Sequence, residues 1–296
     1  MWTFRAMNTD VSVAAPHLDD VAQRALARSI AALFADTEER FSRFREDSEL
    51  SRLNSATKAI TVSREMLDAL VAARAHVAAT AGIFDPAIGG ALASAGYDRS
   101  FAPGVLDREV ARTPPPARFD DVIIDEQARC VVRPSHVQLD FGGFLKGRTV
   151  DRAAALAPAV AMIDAGGDIV LRGDGPDGAG WLVEIEDPED DQRIVATLRL
   201  ADRAVATSAP NRRRWRVGDT RAHHLIDPRT RAPAASDLAQ VTVVAPAAEQ
   251  ADVLAKVTFV LGADAGSRWL ARWPHVGGVL VLADGSTRTV GEVTYA

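Results

Sequence analysis

The chain has 296 residues, 47% hydrophobic and 25% charged, with a formal net charge of −6. This composition is typical of a soluble globular protein with a sizeable core, and the acidic balance argues against general nucleic-acid binding. A single cysteine, Cys130, excludes an intramolecular disulfide and fits a reducing compartment. Because no apolar run reaches membrane length and the N-terminus lacks the apolar core of a secretion signal, we expect a cytoplasmic protein with no membrane partner.

The first hundred residues predict one strand and three helices. These are a strand over 2–15 with Met7-Asn8-Thr9 in its middle, a helix from Asp19 or Asp20 to about residue 35, a short helix over 48–53 begun by Asp47 or Ser48, and a helix over 64–80 that is capped by Thr61 or Ser63 and ends at Gly82. Asn54 would lie at the end of the short helix and face outward. The segment 82–98 has no clean periodicity, and the proline-rich stretch 101–119 is typical of a surface loop.

The rest of the chain predicts mostly strands. These are a hairpin over 122–132, a strand over 137–140, a helix over 149–157, two strands joined by a double glycine over 161–173, strands within 181–186, 196–208 and 215–227 with a hairpin turn at Gly218-Asp219, a buried strand over 241–246, helices over 247–261 and 267–272, and a last hairpin over 276–291. Because many strands join through hairpins and the helices cluster, the pattern favours an α+β fold over a doubly wound parallel sheet.

The stretch LDFGGFLKGRTVD, residues 139–151, combines the features of an anion site. Asp140 closes a predicted strand, Gly142-Gly143 lets the backbone approach a ligand, and Lys146 precedes a helix. Backbone N–H groups, a helix N-terminus and one mobile cation together bind phosphate. The spacing is neither that of a P-loop nor that of a dinucleotide fingerprint, and a glycine turn that only precedes a helix remains the alternative.

Acidic turns recur at 166–168 and at Asp85-Pro86. One such turn is usually structural, whereas three in one chain favour backbone that lines a ligand cavity. Other polar groups allow two interpretations each. Asp252 and Lys256 lie four residues apart on a predicted helix, where a surface ion pair is the simpler one. Residues 207–208 and 212–214 could bind phosphate, or they could be solvated groups at a strand edge.

His223-His224 with Asp227 resembles a metal pair or an acid–base dyad, although a partly buried structural histidine is commoner. Adjacent strand residues point to opposite faces, so only one of the two histidines can face a site. His224, in step with Ile226, is the better candidate for a general base. The chain has no Ser/His/Asp order, Cys/His pair or CxxC zinc pattern, which excludes the usual hydrolase and zinc-site classes.

Seven stretches resemble, in order, motifs of the ApbE family, flavin transferases that move FMN from FAD to a threonine or serine of a target protein. They are MNTD from Met7, FSRFREDSELSRLN (41–54), FDPAIGGAL (84–92), LDFGGFLKGRTVD (139–151), DAGGDI (164–169), HLIDPRT (224–230) and ADVLAKVTFVLG (251–262). Each stretch is a weak signal alone, whereas seven in the family's order are highly specific.

The resemblance implies the ApbE-like flavin transferase fold: mixed or antiparallel sheets with flanking helices, in a single domain over 1–296 whose two interwoven lobes surround an FAD cleft. It implies an FAD:protein FMN transferase that attaches FMN through a phosphoester bond to a Thr or Ser of an acceptor flavoprotein and releases AMP. FAD is then the ligand and Mg²⁺ the metal, since a hard, oxygen-only site suits that ion.

Carried over by position, the resemblance also implies roles for individual residues. The implied FAD site consists of Met7, Asn54, Ile83, Phe84, Asp85, Asp140, Lys146, Asp168 and Ile226. The Gly143 carbonyl and the Asp252 carboxylate would hold Mg²⁺. His224 matches the family's proposed base, and Asp252 and Lys256 would complete the catalytic set.

Several positions depart from the family's pattern. Lys256 stands where the last metal ligand is usually threonine, and an ammonium cannot bind Mg²⁺. Either its charge replaces the cation, or it swings away and leaves a looser metal site. Asn8, Ala209 and Arg231 each stand where the family has glycine. Two alternatives therefore stay open: a non-catalytic FAD-binding protein, and a pyrophosphatase that splits FAD into FMN and AMP.

Overall fold

The computed structural model describes residues 1–100, 115–190, 192–217 and 220–296. The helices are α1 (Asp20–Phe41), α2 (Glu49–Ser55), α3 (Arg64–Ala79), α4 (Gly89–Ser94), α5 (Leu145–Leu156), α6 (Ala248–Leu261) and α7 (Ala263–Leu270). The strands are β1 (Trp2–Ala6), β2 (Thr9–Ala14), β3 (Ile60–Thr61), β4 (Ile123–Asp125), β5 (Cys130–Val132), β6 (Ala161–Ala165), β7 (Asp168–Arg172), β8 (Trp181–Glu186), β9 (Ile194–Leu200), β10 (Arg203–Ser208), β11 (Arg214–Val217), β12 (Thr220–His223), β13 (Ile226–Asp227), β14 (Ala232–Pro233), β15 (Leu238–Ala245), β16 (Gly277–Leu282) and β17 (Thr287–Gly291).

The chain divides into two compact units. The first unit contains Met1–Ala35, Phe144–Asn211 and Ser236–Ala296, and the second contains Asp36–Gly143 and Arg212–Ala235. The predicted α+β class is confirmed, since helices and antiparallel sheets occur together. Within the described residues, no helix has the length and apolarity needed to cross a membrane.

An eight-stranded sheet forms the centre of the first unit. Its strand order is β1-β2-β6-β7-β10-β15-β16-β17, and every neighbouring pair is antiparallel. Successive side chains of a strand point to opposite faces, so each face has its own core. On one face Val11, Ile163 and Ala204 pack against Ile30, Phe34, Val150 and Ala248 of the helices. On the other face Leu171, Val205 and Val244 pack against Trp181, Ile185 and Leu198 of the β8–β9 hairpin.

Helices α5 and α6 approach each other closely because of two residues of the 139–151 stretch. Asp151 on α5 accepts hydrogen bonds from the backbone N–H groups of Ala248 and Glu249, 2.8 Å each, and so caps the N-terminus of α6. Burial raises the pKa of Asp151 despite these bonds. A Cβ at Gly147 would overlap the carbonyl group of Ala248, so only glycine permits this approach.

The first strand is not continuous as predicted but forms a two-residue hairpin. β1 pairs with β2, with Ala6 opposite Thr9, and Met7 and Asn8 form the turn with φ values of 48° and 60°. Positive φ at both turn residues is typical of a type I′ hairpin, which twists in the same sense as its strands. The alternation of apolar residues runs through both strands, which conceals the turn in the sequence.

The second unit combines α2, α3 and α4 with a small sheet in the order β3-β5-β4. Ser48 and Ser63 cap α2 and α3 through hydrogen bonds from the backbone N–H groups of Ser51 and Met66, and each is one of the two residues predicted for that position. Gly82, with φ of 75°, ends the α3 region by donating to the carbonyl of Val77. The predicted 122–132 hairpin is confirmed as β4–β5.

Some predicted boundaries are wrong. α1 continues to Phe41 because the apolar face that begins at Leu26 extends to that residue. α5 begins at Leu145, four residues before the predicted start, so Lys146 lies in its first turn. Residues 137–140 form no strand. The predicted turn at Gly218-Asp219 and residues 101–114 of the predicted surface loop lie outside the described residues.

Candidate functional site

Four ionisable side chains of the first unit form what we call the charged cluster: Lys146, Asp168, Asp252 and Lys256. Lys146 Nζ donates to the carbonyl of Ala165 at 2.8 Å and lies 2.8 Å from Asp168 Oδ2. Asp252 accepts a short hydrogen bond from Lys256, one turn later on α6. The carboxylates of Asp168 and Asp252 are 1% and 2% exposed. The ion pair between Asp252 and Lys256 is therefore not the surface ion pair that its spacing on α6 suggests.

The electrostatics link the two ion pairs. Burial, and next the charge of Asp252, raise the pKa of Asp168 to about 6, although Lys146 and Lys256 oppose the rise. Asp168 therefore responds to both members of the other pair. The four groups act as one cluster of two positive and two negative charges.

Local structure explains how the cluster forms. Asp168 begins β7 directly after the Gly166-Gly167 turn, whose φ values of 62° and 93° favour glycine. Lys146 lies in the first turn of α5, where the N-cap residue Phe144 offers no side-chain acceptor. The 166–168 turn and the start of α5 thus bring a carboxylate, an ammonium and a helix N-terminus together. An arrangement of this kind suits an anionic ligand.

Thr207 and Ser208 belong to β10 rather than to a strand edge. Thr207 Oγ1 is hydrogen-bonded to Thr242 Oγ1 across the sheet at 2.9 Å, and Ser208 is 3% exposed. The arginines of 212–214 belong to the second unit, and the side chain of Arg212 lies outside the described residues. The phosphate role suggested for these residues stays a prediction.

In the second unit, Asp140 is held by an arginine that the sequence did not single out. Arg43 Nε donates to Asp140 Oδ2 and Arg43 Nη2 to the carbonyl of Tyr97, both at 2.5 Å. The guanidinium lies 4.2 Å from the ring centroid of Phe44 and 4.7 Å from that of Tyr97. Cation–π contact and two hydrogen bonds fix its orientation, and Gly142 N–H donates to the second carboxylate oxygen of Asp140 at 2.8 Å.

The side chain of Asn54, rather than a neighbouring strand, supports residues 137–140, the segment predicted to be a strand. Its amide donates to the carbonyl of Leu139 and accepts from the N–H of Leu139, 2.8 Å each. Asp140 N–H donates to the carbonyl of Pro86. Asn54 lies near the end of α2, as predicted, but its side chain does not face outward as predicted. It pairs with the backbone as a neighbouring strand would.

Asp85 lies beside a cleft of about 520 Å³ in the second unit. Its carboxylate, 7% exposed, accepts the N–H groups of Ala87 at 2.7 Å and Phe119 at 3.2 Å, and burial raises its pKa. Arg118, Asp120, Arg229 and Arg231 contribute charged groups to the lining. The volume is in the range of small-molecule sites.

The two adjacent histidines have different surroundings. His223 ends β12, where its Nδ1 accepts from Leu225 N–H and its Nε2 lies 3.2 Å from the carbonyl of Ala234. This pattern requires the neutral Nε2–H tautomer, and burial lowers the pKa of His223. His224 lies in the bend after β12, so the strand alternation used to choose it does not apply. It stays the candidate base because His223 has a structural role.

Asp227 is not part of a dyad with these histidines. Its carboxylate accepts hydrogen bonds from the backbone N–H and the guanidinium of Arg229, at 2.8 to 3.2 Å. Ile226 is buried with Tyr97 and Trp215 in an apolar cluster of the second unit. Its contact with FAD stays a prediction.

The residues around Asp252 do not fit a bound divalent ion. Asp252 Oδ2 is buried and accepts no hydrogen bond from the described residues, which would suit a cation. However, the Lys256 ammonium already contacts Oδ1 of the same carboxylate. Within the described ranges, no group of three or more His, Cys, Asp or Glu side chains is arranged to hold a metal. Two ammonium groups already balance the two carboxylates.

The predicted site residues fall into two sets. The first unit holds Met7, Lys146, Asp168, Asp252 and Lys256; the second holds Asn54, Ile83, Phe84, Asp85, Asp140, Gly143, His224 and Ile226. Within the first set, all but Met7 form the charged cluster. Met7 occupies the β1–β2 turn and packs against the helix-side core. In the second set, Asn54 and Asp140 support one backbone segment, and Asp85 borders the cleft.

Fold and site together define a class: an α+β protein whose buried lysine–carboxylate cluster and glycine-rich turns suit a phosphate-containing ligand. A sequence model described as the ApbE family matches residues 7–280. The chain therefore belongs to the ApbE family.

Relatives and solved structures agree with this assignment. The chain is similar to the FAD:protein FMN transferases of Treponema pallidum (30% identity, 82% of this chain and 73% of that protein) and Vibrio cholerae (29%, 82% and 75%). The crystal structure of the ApbE protein of Thermotoga maritima matches 98% of this chain and 96% of its own, with 26% identity and a TM-score of 0.86. The flavin transferase ApbE of Vibrio cholerae shares the fold, with 23% identity, 99% and 96% coverage and a TM-score of 0.79.

Proposed function

We propose that this chain is an FAD:protein FMN transferase, which attaches FMN to a Thr or Ser hydroxyl of an acceptor flavoprotein. The observation that carries the proposal is the charged cluster beside the N-terminus of α5. The chain belongs to the ApbE family, and its relatives are named FAD:protein FMN transferases. We also propose that residues 1–296 act as one flavin transferase domain. The expected location in the cytoplasm stays a prediction.

The reaction is a phosphoryl-type transfer. The acceptor oxygen forms a bond to the phosphorus on the FMN side of FAD, and the bond from that phosphorus to the bridging oxygen breaks. AMP leaves with the bridging oxygen, and a base takes the hydroxyl proton. Such a transfer needs positive charge near the phosphate oxygens, which Lys146 and Lys256 can supply, and a base, for which His224 is our candidate.

Each of the two sets contains residues suited to part of FAD. Lys146 and Asp168 suit the pyrophosphate region, since they lie at the helix N-terminus and the double-glycine turn. Asp140 is held in one orientation by Arg43 and can accept hydrogen bonds from a ligand. The cleft beside Asp85 has room for one half of the dinucleotide. Met7, Asn54, Ile83, Phe84 and Ile226 complete the proposed FAD set.

A Mg²⁺ ion held by the Gly143 carbonyl and Asp252 follows from the resemblance alone. The ion pair between Asp252 and Lys256 opposes it. The same ion pair is the observation behind a second candidate, a protein that binds FAD without turning it over. It motivates that candidate because an altered cation site can preserve binding and abolish the transfer.

The test is a turnover assay on the purified chain with FAD and synthetic peptides that each contain one Ser or Thr. Covalent FMN is measured by mass spectrometry, and AMP by chromatography. We expect AMP and flavinylated peptide in equal amounts. Bound FAD without AMP release, under every metal condition, would point to the non-catalytic protein. Free FMN released without any peptide would point to the pyrophosphatase.

A matched pair of variants tests the proposed base. His224→Gln should keep FAD affinity and reduce AMP release by about a hundredfold, because general-base catalysis typically contributes 10²–10⁴. His17→Gln, at an exposed position, is the control. Equal rates for the two variants would remove His224 from the mechanism.

A further inference from the structure

The charged cluster is already neutral without a metal. Its two carboxylates and two ammonium groups balance, and both carboxylates are buried. A divalent ion added to the cluster would leave two uncompensated positive charges in a buried site, which costs free energy. The alternative is that the ion displaces an ammonium from its carboxylate. Asp168 and Asp252 thus each have their cation within the chain.

Lys256 is positioned to act on a ligand as well as on Asp252. It lies one helical turn after Asp252, and its side chain is 20% exposed while Asp252 is 2% exposed. An ammonium has three N–H donors. Among the described residues, Asp252 accepts one hydrogen bond from this ammonium. The remaining donors can therefore meet an anion that enters from the exposed side.

The use of lysine in this chain points to the same role. The chain has 31 arginines and three lysines, and two of the lysines, Lys146 and Lys256, belong to the charged cluster. Lysine carries a compact point charge, whereas arginine carries a broad planar one. A compact charge is the closer substitute for a metal ion. The third lysine, Lys58, is exposed.

We propose that the Lys256 ammonium takes the place of the divalent cation, so that this chain binds the pyrophosphate of its substrate without metal. The proposal deepens the proposed function and rests on it for the identity of the substrate.

Two measurements test it on the unaltered chain. The first is calorimetric titration of the purified protein with MnCl₂, without FAD. The second is FAD affinity from flavin fluorescence, in EDTA and in excess Mg²⁺. We expect no Mn²⁺ binding, and FAD affinities that agree within twofold. One Mn²⁺ bound per chain, with a tenfold or greater loss of FAD affinity in EDTA, would overturn the proposal.

Variants extend the test. Lys256→Thr places a neutral oxygen where the ammonium was, and we expect it to gain Mn²⁺ binding and a tenfold or greater dependence of FAD affinity on Mg²⁺. Lys256→Met offers neither charge nor oxygen and should lose FAD affinity both in EDTA and in excess Mg²⁺. If the threonine variant does not fold, this loss tests whether the ammonium replaces the cation. Lys58→Thr controls for the loss of one positive charge.

The proposal and the proposed function can fail separately. If the unaltered chain binds no FAD under any condition, the proposed function fails, and the Mn²⁺ titration still decides which cation the cluster holds. If FAD binds only with metal, the function stands and Lys256 is not the cation. A Lys256→Thr variant that neither binds Mn²⁺ nor changes FAD affinity in EDTA also contradicts the proposal.

Discussion

Arg43 shows how a single side chain can fix the orientation of a carboxylate, here that of Asp140. Its guanidinium bonds to Asp140 and to the carbonyl of Tyr97 and contacts two aromatic rings. We expect Arg43→Lys to weaken FAD binding about tenfold, because a charge-assisted hydrogen bond contributes about 1.5–3 kcal/mol and lysine cannot make both bonds. Fluorescence titration measures the change. Arg45→Lys, at an exposed position, is the control, and equal affinities in the two variants would exclude this role.

Asp168 gives the protein an unusual dependence of stability on pH. Its pKa in the folded chain is about 6, above the ordinary value of 3.8, so the folded state binds more protons than the unfolded state between these values. Stability contributed by Asp168 is therefore present at pH 4 and lost as the pH rises through 6, the reverse of a salt-bridged aspartate with a lowered pKa. Its ionised form is the costly one.

The variant Asp168→Asn isolates this effect. We expect the unfolding free energy of the unaltered chain, relative to the variant, to fall by up to about 3 kcal/mol between pH 4 and 7, because one pKa unit corresponds to about 1.4 kcal/mol. Urea unfolding at several pH values measures the difference. A difference that is constant with pH would mean that Asp168 titrates normally.

At the scale of single residues, the sequence indicates which polar residues are candidates but not which residues they contact. Asp140, Lys146, Asp168 and Asp252 all lie in buried or half-buried polar contacts. Arg43 was missed, although it lies within a recognised motif, because its carboxylate partner is 97 residues away. Nothing in the local sequence indicates a contact at such a distance.

At the scale of elements, the contact between α5 and α6 depends on Gly147. Helix propensity alone predicts that Gly147→Ala stabilises α5 by about 1 kcal/mol. The overlap of the new Cβ with the backbone of Ala248 and Glu249 opposes this, since neither backbone can move without separating the helices. We expect a net loss of about 2 kcal/mol, typical of overpacking, in urea unfolding.

The control for this prediction is Arg152→Ala, on the exposed side of the same helix. It should change stability by less than about 0.5 kcal/mol, as surface substitutions usually do. A gain of stability in Gly147→Ala would show that α5 and α6 separate easily and that helix propensity outweighs the overlap of the new Cβ.

Element type was easier to predict than element boundaries. The caps Ser48 and Ser63, the double-glycine hairpin and the last hairpin follow from local chemistry, and the structure has them all. The strand predicted over 137–140 was wrong because the backbone of Leu139 is hydrogen-bonded to a side chain, that of Asn54, rather than to another strand. The start of α5 was missed because its first turn has no side-chain cap.

For the whole molecule, the proposed function predicts stabilisation by FAD. A ligand at a hundred times its dissociation constant stabilises the folded state by about 2.7 kcal/mol. For a chain of this size we expect a rise of about 5 °C in Tm. Thermal unfolding with FAD, and with AMP as the control that lacks the flavin and the pyrophosphate, measures it. An equal rise with AMP would place recognition on the adenosine half alone.

The α+β class followed from the pattern of residues, whereas two interwoven lobes were implied only by the family resemblance, without the segments that form them. Each unit is assembled from separate segments, with the second formed by Asp36–Gly143 and Arg212–Ala235. Hydrophobic periodicity reports which face of an element is buried, not which distant element covers it. The residues of the predicted FAD site therefore appear as one ordered list in the sequence and as two sets in the structure.

The N-terminal hairpin has a consequence for synthesis on the ribosome. β2 pairs on its inner side with β6, where Val11 lies opposite Ala165, so about 150 residues must be made before that partner exists. At roughly 5–20 residues per second, the nascent chain carries an unpaired strand edge for about 10–30 s. Exposed edges recruit other strands, so this interval is when a chaperone would matter most.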